Sequence, residues 1–244
     1  MKRIIRKLFR WLPVSTKARL DYFFDRSLGK EFGGPFNGQA SRQQIFRDLV
    51  REVPFKAIVE TGTFRGTTTA FMATQSRLPV HTVEAEPRFY HYAKLKLRRN
   101  KNVRVRMGDS RKFIEEISHT DELPHSYVFI YLDAHWQEDL PLFREIELVE
   151  KNWDHAAIMI DDFEVPGDPE YKYDDYGNGK KLCLEYISPL IEKNWLVYFP
   201  VTNARDETGL KRGCVILVSK DLEEKTRKIS SLRSYKQVIE KMKA

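Results

Sequence analysis

A short segment at residues 60–68 constrains the fold of this chain more than any other part of its sequence. It reads E-T-G-T-F-R-G-T-T, follows the apolar run 57–59 and precedes the helix-like run 69–73. A strand, a turn with two glycines and a helix start form a seat for a nucleotide-like ligand, because glycine lets the backbone approach that ligand closely. The segment therefore predicts an α/β domain with a ligand site at this turn, the alternative being a tight turn alone.

The rest of the chain alternates between apolar, strand-like segments and helical segments. Strands are predicted at 57–60, 80–85, 103–107, 127–132, 156–160, 196–200 and 214–219. Complete helices are predicted at 43–53, 67–76, 87–100, 111–118, 138–150 and 180–193, the first of them after an N-cap at Ser41. Part of 16–33 and part of the tail 221–244 are also predicted to be helical. This alternation predicts a Rossmann-like, seven-stranded, mostly parallel sheet with helices on both faces.

Composition limits the chain to one domain of moderate size. Its 244 residues are 41% hydrophobic and 32% charged, and no apolar run approaches the ~20 residues that span a bilayer. Cys183 and Cys214 lie in apolar segments, which predicts buried thiols in a reducing compartment. We therefore expect a cytoplasmic protein with its main domain at 41–244 and an extension at 1–40.

The N-terminal segment 2–12 has the pattern of an amphipathic helix. Its basic residues fall on one side of a helical wheel and its apolar residues, among them Phe9 and Trp11, on the other, before Pro13 ends the segment. Two interpretations stay open. The helix lies on an anionic membrane surface, which would make the protein peripheral at the inner face of the membrane. Alternatively, its apolar face docks on its own domain or on a second subunit of a homo-oligomer.

Polar residues follow five successive predicted strands at the point where each strand ends. The groups are Glu60 with its glycine turn, Glu84 with Glu86, Asp109 with Ser110, Asp133 with His135, and Asp161 with Asp162. Ligands bind at the carboxyl ends of parallel strands. We therefore expect these groups to surround one site, since loop solubility alone does not explain five such placements.

Glu84, Asp109 and Ser110 have the chemistry of an adenosine site. Glu84 can accept hydrogen bonds from both ribose hydroxyls, and Glu86 is a second candidate or only a charge at a helix start. Asp109 and Ser110 are placed to meet the adenine edge, or to cap the following helix. The pattern E-x-G-x-x-x-G lacks the third glycine of the dinucleotide fingerprint, which argues against an NAD-type oxidoreductase.

Asp133, Asp161 and Asp162 would repel one another at neutral pH unless they bound a proton or a cation. Hard oxygen ligands suit Mg²⁺ or another divalent cation, which could acidify an acceptor hydroxyl. The alternative is that Asp162 caps a loop and Asp133 binds substrate without metal. His135 is a candidate general base or a structural residue, and Trp136 is more typical of a pocket wall or core.

The loop 166–179 is acidic and rich in tyrosine, with glycines near both ends. One interpretation is a substrate lid whose tyrosines stack on a ring and whose carboxylates bind hydroxyls. The other is a solvated surface loop. Either way, its acidity distinguishes it from the rest of a chain with a net charge of +7.

Taken together, residues 55–220 resemble a class I S-adenosylmethionine (SAM) methyltransferase, and more narrowly the metal-dependent O-methyltransferases of the catechol and macrocin types. Segment 60–68 is similar to motif I of the catechol-type enzymes, which hold the methionine part of SAM there. The cofactor-binding residues that the resemblance implies are Glu60, Gly62, Thr63, Phe64, Gly66, Thr68, Glu84, Asp109, Ser110 and Asp133. The metal positions that it implies are Asp133, Asp161 and Asp162.

The chain also departs from the catechol-type pattern. Gln137 stands where those enzymes have a lysine base, which leaves His135 and Asp133 as the candidate catalytic residues. The second metal position is an asparagine in many relatives but is Asp162 here, which resembles the macrocin-type enzymes. Those enzymes methylate sugar hydroxyls. Segment 36–39 is similar to a loop that covers SAM in that branch. The implied function is metal-assisted methylation of a hydroxyl on a sugar or another polyhydroxylated small molecule.

Two other functions fit the net charge: methylation of RNA or another macromolecule, and a non-catalytic binding module. The basic residues are concentrated at 2–10, 94–106 and 211–243, whereas the loop at the expected substrate mouth is acidic. A polyanionic acceptor would be repelled at that mouth. Nucleic acid is therefore not the expected partner.

Overall fold

A computed structural model of the chain describes residues 11–135 and 139–243. Most of the predicted amphipathic segment 2–12 lies outside these residues, as do Trp136 and Gln137. Among the residues that are described, no helix combines the length and apolar character that crossing a bilayer requires. Both cysteines are buried and free, as predicted.

An eight-stranded sheet organises the described part of the chain. Its strands are β1 (Ala57–Thr61), β2 (Val80–Glu84), β3 (Val103–Met107), β4 (Val128–Leu132), β5 (Ala156–Asp161), β6 (Trp195–Pro200), β7 (Cys214–Ser219) and β8 (Leu232–Ser234). Their order is β3-β2-β1-β4-β5-β7-β6-β8, with parallel pairing from β3 to β5 and antiparallel pairing beyond β5. Because β1 lies between β2 and β4, the strand order reverses at its carboxyl end, where such sheets bind ligands.

The prediction of seven strands was wrong by one. The additional strand, β8, pairs antiparallel with β6, from Tyr198 opposite Ser234 to Pro200 opposite Leu232. It lies in the tail for which only helix was predicted. Three residues are too few to carry a strand periodicity of their own, so the open edge of β6 decides their conformation.

Helices cover both faces of this sheet, as predicted. They are α1 (Val14–Phe24), α2 (Ala40–Glu52), α3 (Thr67–Ser76), α4 (Pro87–Leu97), α5 (Ser110–Ser118), α6 (Leu142–Asn152), α7 (Leu184–Ile191), α8 (Glu223–Thr226) and α9 (Tyr235–Lys243). Alternate strand residues enter two separate cores: Val59 and Ile130 join one, and Ile58 and Phe129 join the other. This alternation is the period-two consequence of the pleated backbone.

Several helix boundaries differ from the prediction; α4, for example, ends at Leu97 and not at residue 100. The segment after α1 forms two 3₁₀ turns at Arg26–Gly33 and Pro35–Gly38. Helix α2 begins at Ala40, so Ser41 lies inside its first turn and Gln39 is the N-cap residue. Helix α7 begins at Leu184 and not at residue 180, because Lys181 pairs with Asp175 in a bridge that closes a hairpin.

Candidate active site

A chain of contacts connects four of the five strand-end groups along the carboxyl edge of the sheet. Gly108, just after β3, donates its N–H to the Glu84 carbonyl at 3.0 Å. The Glu84 carboxylate accepts the Phe64 N–H at 2.6 Å. Gly62 packs against the backbone of Asp133 after β4. The order of the strands therefore places these predicted residues next to one another at the carboxyl edge of the sheet.

Gly62 and Gly66 are required by the close packing of the turn after β1. Both have left-handed backbones, with φ values of +84° and +70°. A Cβ on Gly62 would lie 2.6 Å from the carbonyl carbon of Asp133 and closer still to its oxygen. A Cβ on Gly66 would lie 2.8 Å from Cδ1 of Leu97. Only glycine fits these two positions without displacing a neighbour.

The Glu60 carboxyl group is buried beneath this turn. It accepts hydrogen bonds from the hydroxyls of Thr69 at 2.5 Å and Thr82 at 2.6 Å, both on Oε2. Its other oxygen, Oε1, is buried and has no hydrogen-bond partner among the described residues. Burial raises the pKa of Glu60 to about 8. The group therefore retains one oxygen, Oε1, that could form a hydrogen bond with a ligand, as a donor when Glu60 is protonated and as an acceptor when it is ionised.

The other predicted residues of segment 60–68 hold the turn together. The Thr63 hydroxyl lies 2.5 Å from that of Thr82. The Phe64 ring packs edge-on against Phe89, with ring centroids 4.4 Å apart. The Thr68 hydroxyl accepts the N–H of Phe36 at 3.1 Å. This last bond ties the segment 36–39, which the sequence placed over the cofactor, to the start of α3.

Glu84 is buried at the end of β2, whereas Glu86 caps a helix. The Glu84 carboxylate accepts the N–H groups of Phe64 at 2.6 Å and Glu86 at 2.8 Å, and burial raises its pKa. The Glu86 carboxylate accepts the Arg88 N–H at the start of α4. Of the two acids, Glu84 lies next to the glycine turn, which favours it as the ligand-binding one.

Asp109 is the N-cap of α5, the alternative that the sequence left open. Its carboxylate accepts the N–H groups of Arg111 at 2.9 Å and Lys112 at 3.3 Å. The Arg111 side chain, which also pairs with Asp139, lowers the pKa of Asp109. Ser110 is buried in the first turn of the same helix. The cap orients this turn whether or not the same residues contact a ligand.

Asp161 is held in a buried ion pair that the sequence did not indicate. Its partner is Arg42 on α2, and both side chains are 1% exposed. The Oδ2 atom of Asp161 also accepts the Tyr131 hydroxyl at 2.5 Å and the Asn37 amide at 3.1 Å, and Oδ1 accepts the Asp162 N–H at 2.7 Å. Protein donors therefore engage both oxygens, which removes Asp161 from the set of available ligands.

Asp133, His135 and Asp162 form the group that could hold a metal ion. One ligand atom from each lies within 4.8 Å of the others. The His135 Nε2 atom is 3.8 Å from Asp162 Oδ2 and 4.0 Å from Asp133 Oδ1. This nitrogen is buried and has no hydrogen-bond partner in the described part of the chain. Two carboxylates and an unpaired imidazole nitrogen are a donor set that fits a divalent cation.

The carboxylates around this group shift its acid–base equilibria. Burial acts to lower the pKa of His135, but Asp162 and its acidic neighbours outweigh this effect and raise it. Burial and the nearby Asp161 and Asp162 raise the pKa of Asp133. The pKa of Asp162 is lowered, because His135 and Arg212 overcome the effect of burial. Asp162 is thus the fixed negative charge of the group.

Arg212 connects this group to the predicted lid, and sequence reasoning missed it. Its Nε donates to Asp162 Oδ1 at 2.5 Å, and its guanidinium also pairs with Asp174 in the loop 166–179. Asp174 donates its N–H to the Asp162 carbonyl at 2.9 Å and accepts the Tyr176 hydroxyl at 2.7 Å. The loop is therefore fastened to the carboxylate group. Its sequence signal was hidden, because Arg212 belongs to a generally basic region.

No family model and no curated protein sequence matches the chain. Solved structures do match. One is the O-methyltransferase from Bacillus cereus in complex with SAH, with a TM-score of 0.53, 20% identity, and coverage of 85% of this chain and 87% of that one. The chain shares the fold of this structure.

Two further structures agree with this fold. The O-methyltransferase TomG from Streptomyces achromogenes, involved in tomaymycin synthesis and bound to SAM, gives a TM-score of 0.56 at 17% identity, covering 85% of this chain and 90% of that one. Cofactor-bound Rv0187 from MTB gives 0.56 at 16% identity, covering 86% and 98%. At these identities the likeness establishes the fold, and residue roles must be argued from geometry.

Proposed function

We propose that the protein transfers the methyl group of SAM to a hydroxyl of a sugar or another polyhydroxylated small molecule. The observation that carries this proposal is the packing of Gly62 against the backbone of Asp133. It brings the turn proposed to hold the cofactor next to the group Asp133, His135 and Asp162. A methyl donor and an acceptor hydroxyl bound at these two places would be neighbours, which is what methyl transfer needs.

The proposed SAM site comprises the turn after β1 and the ends of β2 and β3. The free Oε1 of Glu60 would bind the methionine part of SAM, since the N–H groups of Gly62, Thr63, Phe64 and Gly66 are donated within the protein. Glu84 would accept hydrogen bonds from the ribose hydroxyls, and Ser110 with Asp109 would meet the adenine edge. The fold shared with SAM-bound TomG supports this assignment of the cofactor.

Asp133, Asp162 and His135 would hold a divalent cation such as Mg²⁺. Asp161, the third position that the sequence resemblance implied, would instead neutralise Arg42 and fix the end of β5. When bound, the cation would orient two acceptor hydroxyls and lower the pKa of the one that attacks. The buried Nε2 of His135 supports a ligand at this group, because it makes no hydrogen bond with a described residue although three carboxylates lie 3.8 to 4.0 Å away.

The chemical step would be an in-line displacement at the sulfonium methyl group. The acceptor oxygen forms a bond to the methyl carbon as the carbon–sulfur bond breaks, and S-adenosylhomocysteine leaves. The hydroxyl proton passes to a base, for which His135 and Asp133 are the two candidates. A His135 Nε2 that held the cation could not also accept this proton, and Asp133 would then accept it on the carboxylate oxygen that the cation leaves free.

The acceptor would enter beside the hairpin that Asp175 and Lys181 close. A cavity of about 490 Å³ lies there, lined by polar and aromatic side chains that include Asp175, Asn178, Glu185 and Tyr186. Such groups can donate to and accept from the hydroxyls of a sugar ring. The connection from Arg212 through Asp174 would couple acceptor binding to the carboxylate group.

Formation of S-adenosylhomocysteine from SAM, measured over a panel of free sugars and nucleotide sugars with added Mg²⁺, tests the proposal. Asp162→Asn should raise the Mg²⁺ concentration for half-maximal rate by at least ~10-fold, while the affinity for S-adenosylhomocysteine changes by less than ~2-fold. Asp154→Asn is the matched control, because it makes the same change at an exposed acid before the start of β5, at the other end of that strand from the group.

The outcomes separate the parts of the proposal. Failure to bind SAM or S-adenosylhomocysteine in calorimetry would refute methyl transfer itself. Full activity in the presence of a chelator would refute the metal while leaving methyl transfer intact. Turnover of RNA but no small acceptor would refute the sugar-like substrate.

We also propose that the protein acts in the cytoplasm as a peripheral protein at the inner face of the membrane. The amphipathic pattern of residues 2–12 supports this location. Deletion of these residues should weaken binding to anionic vesicles in a co-sedimentation assay. Equal binding of the deleted and full-length proteins would reject a membrane role for the segment.

A further inference from the structure

A second cavity, of about 450 Å³, lies between α1 and α4. Three of its side chains are cationic: Arg26, Lys96 and Arg98. Three more are aromatic: Tyr22, Phe23 and Tyr92. Among the described residues, no carboxylate lines this basic cleft. Its chemistry is therefore the reverse of the acidic candidate active site.

Three acids lie near the basic cleft in sequence. Asp21 pairs with Arg88 at 2.7 Å, Glu31 pairs with Arg65, and Asp25, beside Arg26, accepts hydrogen bonds from Ser27. Burial, together with the charge of Arg65, lowers the pKa of Lys96 to about 8. Lys96 and Arg98 have no carboxylate partner among the described residues, and burial disfavours the charged form of Lys96. Cations in such an environment are typical of a site that binds an anion.

Two of the three cations are held in place and the third is free to move. The Arg98 guanidinium donates to the Tyr22 hydroxyl at 2.8 Å and lies over that ring. Lys96 Nζ donates to the Thr67 hydroxyl at 2.5 Å. Arg26 is exposed and makes no hydrogen bond or ion pair with any described residue. A bound phosphate would thus meet two fixed donors and one that can close on it.

Large aromatic side chains are exposed beside this cleft. Phe23, which lines it, is 59% exposed and Phe24 is 82% exposed, both at the end of α1. A soluble phosphate ester would leave these rings in water. A bilayer interface could bind both groups. Its anionic headgroups would pair with the cations of the cleft, and the exposed rings would enter the apolar region below the headgroups.

We propose that the basic cleft binds the phosphate of an anionic phospholipid, with Phe23 and Phe24 entering the interfacial region of the bilayer. The inference uses neither the methyl-transfer chemistry nor the segment 2–12. It assigns the membrane-facing side of the protein to the end of α1 and the C-terminal half of α4. The acceptor cavity beside the hairpin belongs to other elements, so membrane contact and catalysis need not compete for one surface.

Binding of the full-length protein to phosphatidylglycerol-containing vesicles, compared with pure phosphatidylcholine vesicles, tests this proposal. Arg26→Glu reverses one cleft charge, and at about 1 kcal/mol per charge near the surface it should weaken binding roughly 30-fold. Lys228→Glu is the matched control: it makes the same change of net charge at an exposed site near β8, the opposite edge of the sheet. It should weaken binding less than ~3-fold by long-range attraction alone.

Phe24→Ser tests the aromatic contact and should also weaken vesicle binding, while leaving S-adenosylhomocysteine binding and the melting temperature unchanged. Equal weakening by Arg26→Glu and Lys228→Glu would overturn the cleft in favour of non-specific charge. Wild-type binding by Arg26→Glu would overturn it as well. Binding of glycerol phosphate without binding of phosphatidylglycerol vesicles would overturn the lipid and identify a soluble phosphate ester as the ligand.

Discussion

Replacement of Gly62 by alanine tests whether close packing between the turns after β1 and β4 builds the candidate active site. The new Cβ would lie 2.6 Å from the carbonyl carbon of Asp133, where ordinary contacts are ~3.5–4.0 Å. The two turns must therefore separate by roughly 1 Å. Such a displacement falls between the proposed cofactor and acceptor sites, where ~1 Å can cost about 100-fold in rate.

The stability cost has two parts that a control can separate. Alanine in a left-handed backbone costs ~1–2 kcal/mol wherever it occurs. The overlap with Asp133 adds ~1–3 kcal/mol by analogy with overpacking in a core. Gly179 has nearly the same backbone, with a φ of +77° against +84°, but a Cβ added there would have no atom of the described residues within 4 Å. Gly179→Ala therefore carries the first cost without the second.

Urea unfolding of the two variants and the wild type gives the comparison. Gly62→Ala should lose about 2–5 kcal/mol of unfolding free energy and Gly179→Ala about 1–2 kcal/mol. Calorimetry with S-adenosylhomocysteine should show weaker binding only for Gly62→Ala. Equal losses of stability in the two variants, with unchanged cofactor affinity, would refute the argument that these turns are in obligatory contact.

Two further predictions concern buried charge. Arg42→Met leaves Asp161 without its cationic partner and should cost ~3–5 kcal/mol of unfolding free energy. In urea unfolding, the double variant that also carries Asp161→Asn should recover part of this loss. Additive losses from the two substitutions would contradict a coupled pair. The pKa of Glu60, about 8 against an ordinary 4.5, means that the folded protein binds this proton more tightly than the unfolded chain. The free energy of unfolding should therefore fall by on the order of a few kcal/mol as pH rises from 4.5 to 8. Glu60→Gln should flatten this pH dependence. An unchanged slope in that variant would show that other groups cause it.

The parallel part of the sheet could be predicted because its signals are local. Strands β1, β4 and β5 are largely continuous apolar runs, whereas the edge strand β3 alternates valine with arginine, and each strand is followed by polar residues within two or three positions. Buried parallel strands need this composition wherever they lie in the sheet. The short strand β8 has no such signal, because its pairing with β6 depends on an edge supplied by a distant part of the chain.

The roles of the three aspartates could not be predicted in the same way. Asp161 and Asp162 are adjacent in sequence, yet one pairs with buried Arg42 and the other faces His135. Asp162 lies just beyond the end of β5 in a left-handed backbone, with a φ of +52°, which turns its side chain away from that of Asp161. Nothing local to Asp161 marks its partner, since Arg42 lies 119 positions earlier on another element.

By itself, then, the sequence determined the alternation of strands and helices, the glycine turn after β1 and the row of acids at the strand ends, since periodicity and backbone freedom are properties of neighbouring residues. Only the tertiary structure decided which acids are available to a ligand. It paired Asp161 with Arg42, gathered Asp133, Asp162 and His135, and fastened the loop 166–179 through Arg212. A buried charge must find its partner in space, and that partner need not be near it in the chain.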